Sequence, residues 1–581
     1  MTMFLLGREK EQSFLFYSKN TITSQREFDG NVFLILDVDS SKGFLHTGKY
    51  FIDFVNVDLK SKSQCTIAST YNRLFYSAQP LGSNIDVVVT ANRNMAREWE
   101  VFDILPLQNQ LENYHEIDII SDIYFSNDNL SNVFIQIAES GLVEKNVILE
   151  NVLSLIGSIG YESLSEYYKD NLDKLKNLSI VSKDIAFIES VNQFCHIENY
   201  IDYSVSEELD FIGNKDFIKH FSKNKWMVLN YHIRKLYRPT KKSCVVATAK
   251  NEGVYLLEWI SYYKSLGFDA IFIYSNGNDD GSDELLQKLH NSGYIFYIKN
   301  DVDHGCSAQN KAYTHALTIN KKILDYEWSL FVDLDEFIFF NKSLFSSIAD
   351  FLDWHNKTNV HAIALNWMFS IPEENSDWVN HPITKRLTKF ESNANGHIKT
   401  MFRPQYFFSS FPHYPLSIEN NLISYVKANG NPHVASNKYN TISISDVPCN
   451  THAGILHYFN RSIPEFIWKY SRNRGDHPNI INNESFTESV LSFLKVFMVA
   501  LDTKNYVNSS AYIPNNDVML TINDMLNDIE INDAYQEVKN RTNKRYKKIN
   551  KLFWDFINKH KEGSEYANDI DAFVTRFYTE N

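Results

Sequence analysis

Apolar and polar positions alternate differently in successive parts of this 581-residue chain. Up to about residue 108, short β-branched or aromatic segments are separated by Asn, Asp, Gly and Ser, which is typical of strands. These segments are 14–17, 32–36, 50–57 and 85–89. We predict a small β-rich antiparallel sandwich over residues 1–108. From 109 to 240, apolar residues recur at steps of three and four, notably in 143–159 and 164–178, and predict a mostly helical connector.

Beyond residue 241, apolar strands alternate with amphipathic helices. The predicted strands are 244–248, 270–274, 295–298 and 328–332, and the predicted helices are 254–266, 282–291 and 308–317. This alternation predicts a parallel α/β sheet over residues 241–480, with ligands at the carboxyl ends of its strands. Residues 481–581 are polar and helical in pattern, so we predict a helical C-terminal region.

The strongest local feature is an apolar strand, Trp328–Val332, that runs directly into Asp333, Asp335 and Glu336. The two aspartates would point the same way if the strand continued. Paired carboxylates repel each other unless a cation lies between them, and oxygen ligands favour Mg²⁺ or Mn²⁺. A bare Asp-x-Asp is more often a solvated turn, so its surroundings decide between the two interpretations.

A second Asp-x-Asp, formed by Asp37 and Asp39, also follows an apolar run. No βαβ pattern precedes it, and the Ser-Ser-Lys-Gly that follows indicates a hairpin turn. Upstream of Asp333, by contrast, polar clusters follow or lie between the predicted strands. These clusters are 251–252, 276–282 and 309–313. We expect them to converge with the acidic motif on one rim of the sheet.

In this order, the motifs resemble those of family 2-like and family 92-like glycosyltransferases. The similar segments are Asn251-Glu252 with 257–263 ("NE…LLEWIAYH"), 276–282 ("DNGSTDGS"), 309–313 ("Q..AY"), 333–337 ("DxDEF"), 365–367 ("LNW") and the late histidine region 452–458. The resemblance covers about residues 243–480. It implies a GT-A fold, which is a Rossmann-like α/β domain, with a nucleoside-diphosphate sugar as donor and inversion at the anomeric carbon. Two departures, Ser275 in place of a common Asp and 369–377 in place of "FGSSG", bear on uridine and acceptor recognition.

The resemblance also implies roles for single residues. The expected nucleotide-sugar-binding residues are Asn251, Glu252, Asn276, Asp280, Gln309 and Asp333. The expected ligands of a Mn²⁺ or Mg²⁺ cofactor are Asp333, Asp335 and His457, with His452 and His433 as competing histidines. Inverting transfer needs a carboxylate base, for which the candidates are Glu373 and Asp377, with Glu391 as a weaker alternative.

Several of these residues also have a purely structural interpretation. Asn251 is a good helix N-cap, and a lone histidine such as His457 is more often structural than a ligand. Lys399 and Arg403, like Arg472 and Arg474, can neutralise phosphate, although bare lysines and arginines more often belong to a solvated face.

The net charge and the cysteine content bear on the partners and the location of the protein. The net charge is −14, and a nucleic-acid-binding surface needs the opposite sign. An acidic protein can still bind phosphates where a divalent metal supplies the positive charge. The five cysteines are widely spaced without a Cys-x-x-Cys, which is typical of reduced thiols, and residues 1–10 do not match a signal peptide. We therefore expect a cytoplasmic protein.

Residues 541–561 form a basic amphipathic pattern with apolar residues on one helical face. Such a helix can lie at the inner face of a membrane or pack its apolar face on its own domain, and the second arrangement is somewhat favoured. The sequence thus predicts metal-dependent transfer from a nucleoside-diphosphate sugar, UDP-sugar favoured, to a hydroxyl of a cell-surface glycan or lipid-linked glycan, of bacterial polysaccharide or lipopolysaccharide type. The alternatives are an inactive carbohydrate-binding protein and a metal-dependent nucleotidyltransferase.

Overall fold

The computed structural model describes residues 2–142 and 204–577 with gaps, together with residues 148 and 152. The gaps are 9–12, 19–20, 26–31, 38, 47–50, 62–63, 70–74, 81–86, 94–100, 107–114, 128–129, 206, 220–233, 235–237, 304–305, 359, 375–380, 418–422, 440, 472–485, 487–488 and 510–516. The chain divides into unit 1, residues 1–182 with 223–236, and unit 2, residues 183–222 with 237–581. The predicted helical segments 143–159 and 164–178 lie outside the described residues, apart from 148 and 152.

Unit 1 contains an antiparallel sheet of ten strands. They are β1 (Thr2–Arg8), β2 (Ser13–Ser18), β3 (Thr21–Gln25), β4 (Phe33–Asp37), β5 (Lys42–His46), β6 (Phe51–Leu59), β7 (Gln64–Ser69), β8 (Phe75–Pro80), β9 (Val87–Arg93) and β10 (Val101–Pro106). The predicted strands are present, but not as a two-sheet sandwich. Because β1 pairs with both β4 and β10, and β10 also pairs with β7, six strands close into a ring. Helices α1 (His115–Ser126) and α2 (Leu130–Glu139) follow.

The acidic pair Asp37 and Asp39 lies at the hairpin between β4 and β5, which confirms the turn interpretation. Asp37 stands opposite Lys42 in the ladder, and the Ser40 hydroxyl donates to Asp37 Oδ2 at 2.5 Å. Ser41 has a φ of 58°, in the left-handed region that tight turns use. Turn chemistry therefore accounts for these carboxylates.

Unit 2 is built on a mixed sheet with helices packed against it. Its strands are β11 (Ser204–Val205), β12 (Lys241–Ala249), β13 (Ala270–Ser275), β14 (Phe296–Asn300), β15 (Tyr326–Phe331), β16 (Glu336–Phe340), β17 (Ala362–Phe369), β18 (Lys389–Glu391), β19 (Ile398–Phe402), β20 (Ser409–Ser410), β21 (Pro415–Leu416), β22 (Tyr425–Lys427), β23 (Ala435–Ser436), β24 (Thr441–Ser445), β25 (Ala453–His457) and β26 (Tyr506–Asn508). Its α-helices are α3 (Lys215–Lys219), α4 (Gly253–Ser265), α5 (Ser282–Asn291), α6 (Ala308–Thr318), α7 (Ile348–Asn356), α8 (Ile383–Arg386), α9 (Ile463–Ser471), α10 (Ser489–Leu501), α11 (Asp517–Asn527), α12 (Ile529–Lys559) and α13 (Ala567–Phe577).

The central sheet has the order β11-β14-β13-β12-β15-β19-β17-β25-β16. The first five strands are parallel, as the alternation of strands and helices predicts, and β19 joins them antiparallel. Cys244 of β12 lies in register with Ala270 of β13 and Ser329 of β15, so the carboxyl ends of these strands share one edge. The strand before the acidic motif does not continue through it: β15 ends at Phe331, and the chain turns before β16.

The C-terminal helices belong to the core of unit 2. Val518 and Met525 of α11 and Ile531 and Val538 of α12 are buried in the same apolar cluster as the residues of α4. Gly253, the first residue of α4, lies so close to α12 that a Cβ there would be 2.6 Å from Val538 Cγ1. Contact at this distance requires glycine, because no side chain fits between the two helices.

The amphipathic face of residues 541–561 packs on its own unit. Ile549, Phe553 and Ile557 of α12 are fully buried in a second apolar cluster with α9, α10 and α13. Among the described residues, no helix is long and apolar enough to cross a membrane. The apolar face that membrane insertion would use is thus already covered.

Candidate active site

A pocket of about 290 Å³ lies at the shared carboxyl edge of β12, β13 and β15. Its lining falls into three groups: residues that follow β12 and β13, residues around the acidic motif, and residues from other, mostly later segments. The early group is Thr248, Ala249, Lys250, Glu252 and Asn276; the acidic group is Gln309, Asp333, Asp335 and His457; and the late group is Trp367, Pro412, His413, Phe459, Lys469, Tyr470 and Phe493. The polar clusters and the acidic motif therefore do converge.

Asp333 is held from two sides. Gln309 donates to its Oδ1 at 2.7 Å, and Lys399 Nζ donates to its Oδ2 at 2.8 Å. Burial raises the pKa of Asp333, but the charge and hydrogen bond of Lys399, together with His457, outweigh burial and hold the pKa below its usual value. Both oxygens of this predicted metal ligand are thus engaged by protein donors.

Asp335 is a more buried carboxylate among cations. Lys469 Nζ lies 2.8 Å from its Oδ2 and Arg461 lies 3.8 Å from the same oxygen. Burial raises the pKa of Asp335, but Lys469 and then His457 outweigh it and hold the pKa well below the usual value. Asp335 is therefore ionised at neutral pH.

His457 stands between Asp335 and Glu336. Its Nε2 lies 3.6 Å from Asp335 Oδ1, longer than a hydrogen bond, and its Nδ1 lies 3.9 Å from Glu336 Oε1. Burial lowers the pKa of His457 despite the neighbouring Asp335, so the ring is neutral at pH 7. Burial raises the pKa of Glu336 to about 8. His457 Nδ1 and Glu336 Oε1 are buried without a hydrogen-bond partner among the described residues.

This donor set fits a divalent cation with two protein ligands. Asp335 Oδ1 is an anionic oxygen and His457 Nε2 faces it, while Glu336 lies behind the histidine, where carboxylates commonly orient a ligating imidazole. In the described part of the chain, no three His, Cys, Asp or Glu side chains are grouped closely enough to hold a metal. The diphosphate of a bound donor can supply the remaining oxygens.

The two loops after β12 and β13 are joined by Asn251 and its partners. Asn251 has a φ of 52°; its Oδ1 accepts from Asp279 N at 2.9 Å, and its own N–H donates to Asn278 Oδ1 at 2.6 Å. It does not cap α4, whose N-cap is Glu252. Asp280 instead accepts from Gly253 N and Ser282 N, both at 3.0 Å. Of the six predicted nucleotide-sugar-binding residues, Asn251 and Asp280 are buried behind the pocket, and the other four line it.

The candidate bases lie elsewhere or outside the described residues. Glu373 lines a separate pocket of about 420 Å³ and accepts from Arg386 at 2.8 Å. Arg386 also bonds the buried Glu465 at 2.9 Å. Asp377 lies outside the described residues, and Glu391 is in β18, away from the lining of the main pocket. The base assignment stays a prediction.

The other candidates occupy structural positions or are not described. His452 packs on Phe345 and Trp354, and His433 packs on Tyr425. Arg403 bonds Glu327 and stacks on Trp328, whereas Lys399 is fully buried behind Asp333. Arg472 and Arg474 lie outside the described residues.

Sequence reasoning missed the late group apart from the pattern around residues 365–367. Lys469, Tyr470 and Phe493 come from α9 and α10, and His413 from the loop between β20 and β21. Tyr470 and Phe493 stack with centroids 4.8 Å apart. No local spacing marks these residues, because the pocket gathers them from segments far apart in the chain.

Parallel strands with polar loops and an acidic turn at their carboxyl edge are the arrangement that the sequence predicts for residues 241–480. Residues 243–485 match the family model described as Glycosyltransferase family 92, which confirms the resemblance seen in the sequence.

Two relatives show the extent of the similarity. A glycosyltransferase family 92 protein of Arabidopsis thaliana is 26% identical over 181 residues, which cover 29% of this chain and 29% of the relative. One of Oryza sativa subsp. japonica is 31% identical over 111 residues, covering 19% and 18%. The matches thus span less than a third of these relatives. TarS of S. aureus is 18% identical over 28% of each chain with a TM-score of 0.18, which is too low to inform the fold.

Proposed function

We propose that unit 2 transfers a sugar from a nucleoside-diphosphate sugar to a hydroxyl of a glycan, with a divalent cation at Asp335 and His457. The observation that supports this most directly is the pairing of an ionised carboxylate with a neutral imidazole, 3.6 Å apart, at the carboxyl edge of the sheet. When bound there, Mn²⁺ or Mg²⁺ would neutralise the negative charge of the departing diphosphate.

The chain's own residues divide the work. Glu252 and Asn276, which follow β12 and β13 and line the pocket, would bind the nucleoside. Lys469 adds a positive charge beside Asp335, where a diphosphate would meet the carboxylates of the acidic motif. Lys399 and Gln309 hold Asp333 in one orientation before substrate binds, so little conformational entropy of this side chain is lost on binding.

The finer parts of the proposal concern the substrates. A UDP-sugar donor, inversion at the anomeric carbon and a cell-surface or lipid-linked glycan acceptor are what the resemblance and the sequence favour. A cytoplasmic location and contact with a membrane through residues 541–561 stay predictions, and the buried apolar face of α12 leaves its basic side chains as the means of such contact.

The test is nucleotide release from a panel of UDP-, GDP-, CMP- and dTDP-sugars, with Mn²⁺ or with EDTA. We expect turnover of one donor, abolished by EDTA and lowered at least a hundredfold by Asp335→Asn. Asp39→Asn is the matched control, because it makes the same change in the same motif at an exposed hairpin. Turnover that survives both EDTA and Asp335→Asn would refute the metal assignment, and failure to bind any donor would refute the transferase.

A further inference from the structure

His413 in the loop between β20 and β21 is a polar residue of the late group to which no role has been assigned. Its Nδ1 lies 3.0 Å from the carbonyl oxygen of Ile398. A carbonyl can only accept, so Nδ1 carries the proton and Nε2 presents a lone pair. Within the described residues, the imidazole makes no other hydrogen bond. Since His413 lines the pocket, Nε2 is the polar atom that it can offer to a ligand.

The ring is fixed by its surroundings. The Thr400 hydroxyl donates to the His413 carbonyl oxygen at 2.8 Å, so β19 anchors both ends of the residue. Trp367 packs against the ring with centroids 5.2 Å apart. Burial lowers the pKa of His413 to about 4, so the imidazole is neutral and accepts hydrogen bonds throughout the physiological range.

The location of His413 in the pocket indicates which part of a bound nucleoside-diphosphate sugar it would contact. Trp367 also packs on His457, with centroids 4.4 Å apart, so a single tryptophan ring separates His413 from the site proposed for the diphosphate. The nucleoside residues come from the other part of the lining, after β12 and β13. In a nucleoside-diphosphate sugar, the group attached to the diphosphate on the side away from the nucleoside is the sugar.

We propose that His413 is a specificity-determining residue that accepts a hydrogen bond, through Nε2, from a hydroxyl or amide N–H of the transferred sugar. This inference rests on the proposed function, because it takes the donor to lie across Asp335 and His457. It requires a donor sugar with an O–H or N–H at the position facing His413. A sugar that is deoxy at that position would leave Nε2 unpaired and bind more weakly.

Two substitutions test the roles of the two ring nitrogens separately. His413→Asn keeps a donor near the position of Nδ1–H for the Ile398 carbonyl and removes the acceptor, whereas His413→Gln keeps an acceptor near the position of Nε2. Calorimetric titration with Mn²⁺ would compare UDP with UDP-glucose, UDP-galactose and UDP-N-acetylglucosamine, and GDP with GDP-mannose. For the sugar nucleotide that the wild type prefers, we expect His413→Asn to weaken binding about tenfold while changing free-nucleotide binding less than twofold, and His413→Gln to stay within about threefold of wild type.

The outcomes distinguish this inference from the proposed function. Equal weakening of nucleotide and nucleotide sugar by His413→Asn, or the same effect from both variants, would show a structural role and overturn the proposal. No binding of any nucleotide by the wild type would refute the proposed function itself. A test that needs no donor is the long-range ¹H–¹⁵N spectrum of histidine-labelled protein at pH 7, with the His413 signals assigned by their loss in His413→Asn. The Nδ1–H tautomer is expected, and an Nε2–H tautomer would overturn the proposal.

Discussion

Replacing Arg386 by Met should destabilise unit 2 by about 3 kcal/mol. Arg386 is 9% exposed and bridges two carboxylates, Glu465 at 2.9 Å and Glu373 at 2.8 Å. Removing one partner of a buried ion pair costs about 3–5 kcal/mol, whereas a half-exposed pair contributes about 0–1 kcal/mol. Glu465 is only 3% exposed and Glu373 is 27% exposed, so the effect comes mainly from Glu465. We take the lower end because Ser462 still donates to Glu465.

The measurement is urea unfolding at pH 7, with Arg541→Met as the control. Arg541 pairs with Glu537 on the surface of α12, where both side chains are about half exposed, so its replacement should cost less than about 0.5 kcal/mol. The double variant Arg386→Met with Glu465→Gln should recover at least half of the loss, because a neutral amide needs no cation. An Arg386→Met variant as stable as Arg541→Met would refute the reasoning.

Acid should narrow the difference between wild type and Arg386→Met. Burial raises the pKa of Glu465, but Arg386 and then Arg461 outweigh burial and hold the pKa below its usual value. Stabilisation by a carboxyl whose pKa is depressed on folding is complete above its unfolded pKa and is lost as the pH falls through the folded value. Arg386→Met removes the main cause that lowers this pKa, so Glu465 should protonate at a higher pH in the folded variant than in the wild type. The free-energy difference between the two proteins should therefore be largest at about pH 7 to 8 and shrink as the pH falls toward about 4.

Three further outcomes are expected. Glu258→Gln should lower the free energy of unfolding by about 2 kcal/mol. The buried carboxylate accepts from two backbone N–H groups at the start of α8, and a glutamine side-chain N–H would face one of them. The control for the same urea measurement is Glu537→Gln on the surface of α12. Burial lowers the pKa of His355 from 6.5 to about 4, so the folded protein keeps this histidine neutral down to a lower pH than the unfolded chain does. As the pH falls from 6.5 to 4, the free energy of unfolding should therefore drop by up to about 3 kcal/mol. A difference in free energy of unfolding between wild type and His355→Gln that does not change over this range would contradict this expectation. Asn276→Ala should weaken nucleotide binding about tenfold without loss of stability, because Asn276 lines the pocket. Asp280→Ala should instead lower the free energy of unfolding by about 1–2 kcal/mol, because it loses the bonds from the Gly253 and Ser282 N–H groups. Nucleotide titration and urea unfolding of each variant would check both expectations.

The parallel half of unit 2 was predictable because its strands are apolar runs of the expected length. Strand β13 was expected at 270–274 and is found at Ala270–Ser275, and helix α5 has the predicted bounds, Ser282–Asn291. The edge on which polar clusters meet follows from the parallel connection alone. The acidic motif was found for the same reason, although the chain turns at Asp333 because the Glu336 side chain accepts from the Asp333 N–H at 2.9 Å.

What the sequence did not reveal depends on contacts between distant segments. Asn251 is a residue type that often caps a helix, yet here it has a left-handed backbone conformation and bonds Asn278 and Asp279 of the next loop. Lys399 is an ordinary lysine in a strand until folding places it between Asp333 and Glu336. In unit 1, the closure of strands into a ring depends on β1 reaching β4, which alternation of side chains cannot indicate.

The contact of Gly253 with Val538 links the start of α4 to α12, a helix outside the region that matches the family model. Neither position can change alone: a Cβ at 253 would overlap Val538, and a larger side chain at 538 would push α4 away from α12. The C-terminal helices and the region that matches the family model are therefore expected to change together in evolution. A chimaera joined at residue 485 would exchange half of a fitted pair, so swaps between relatives should be cut before Lys241 or not at all.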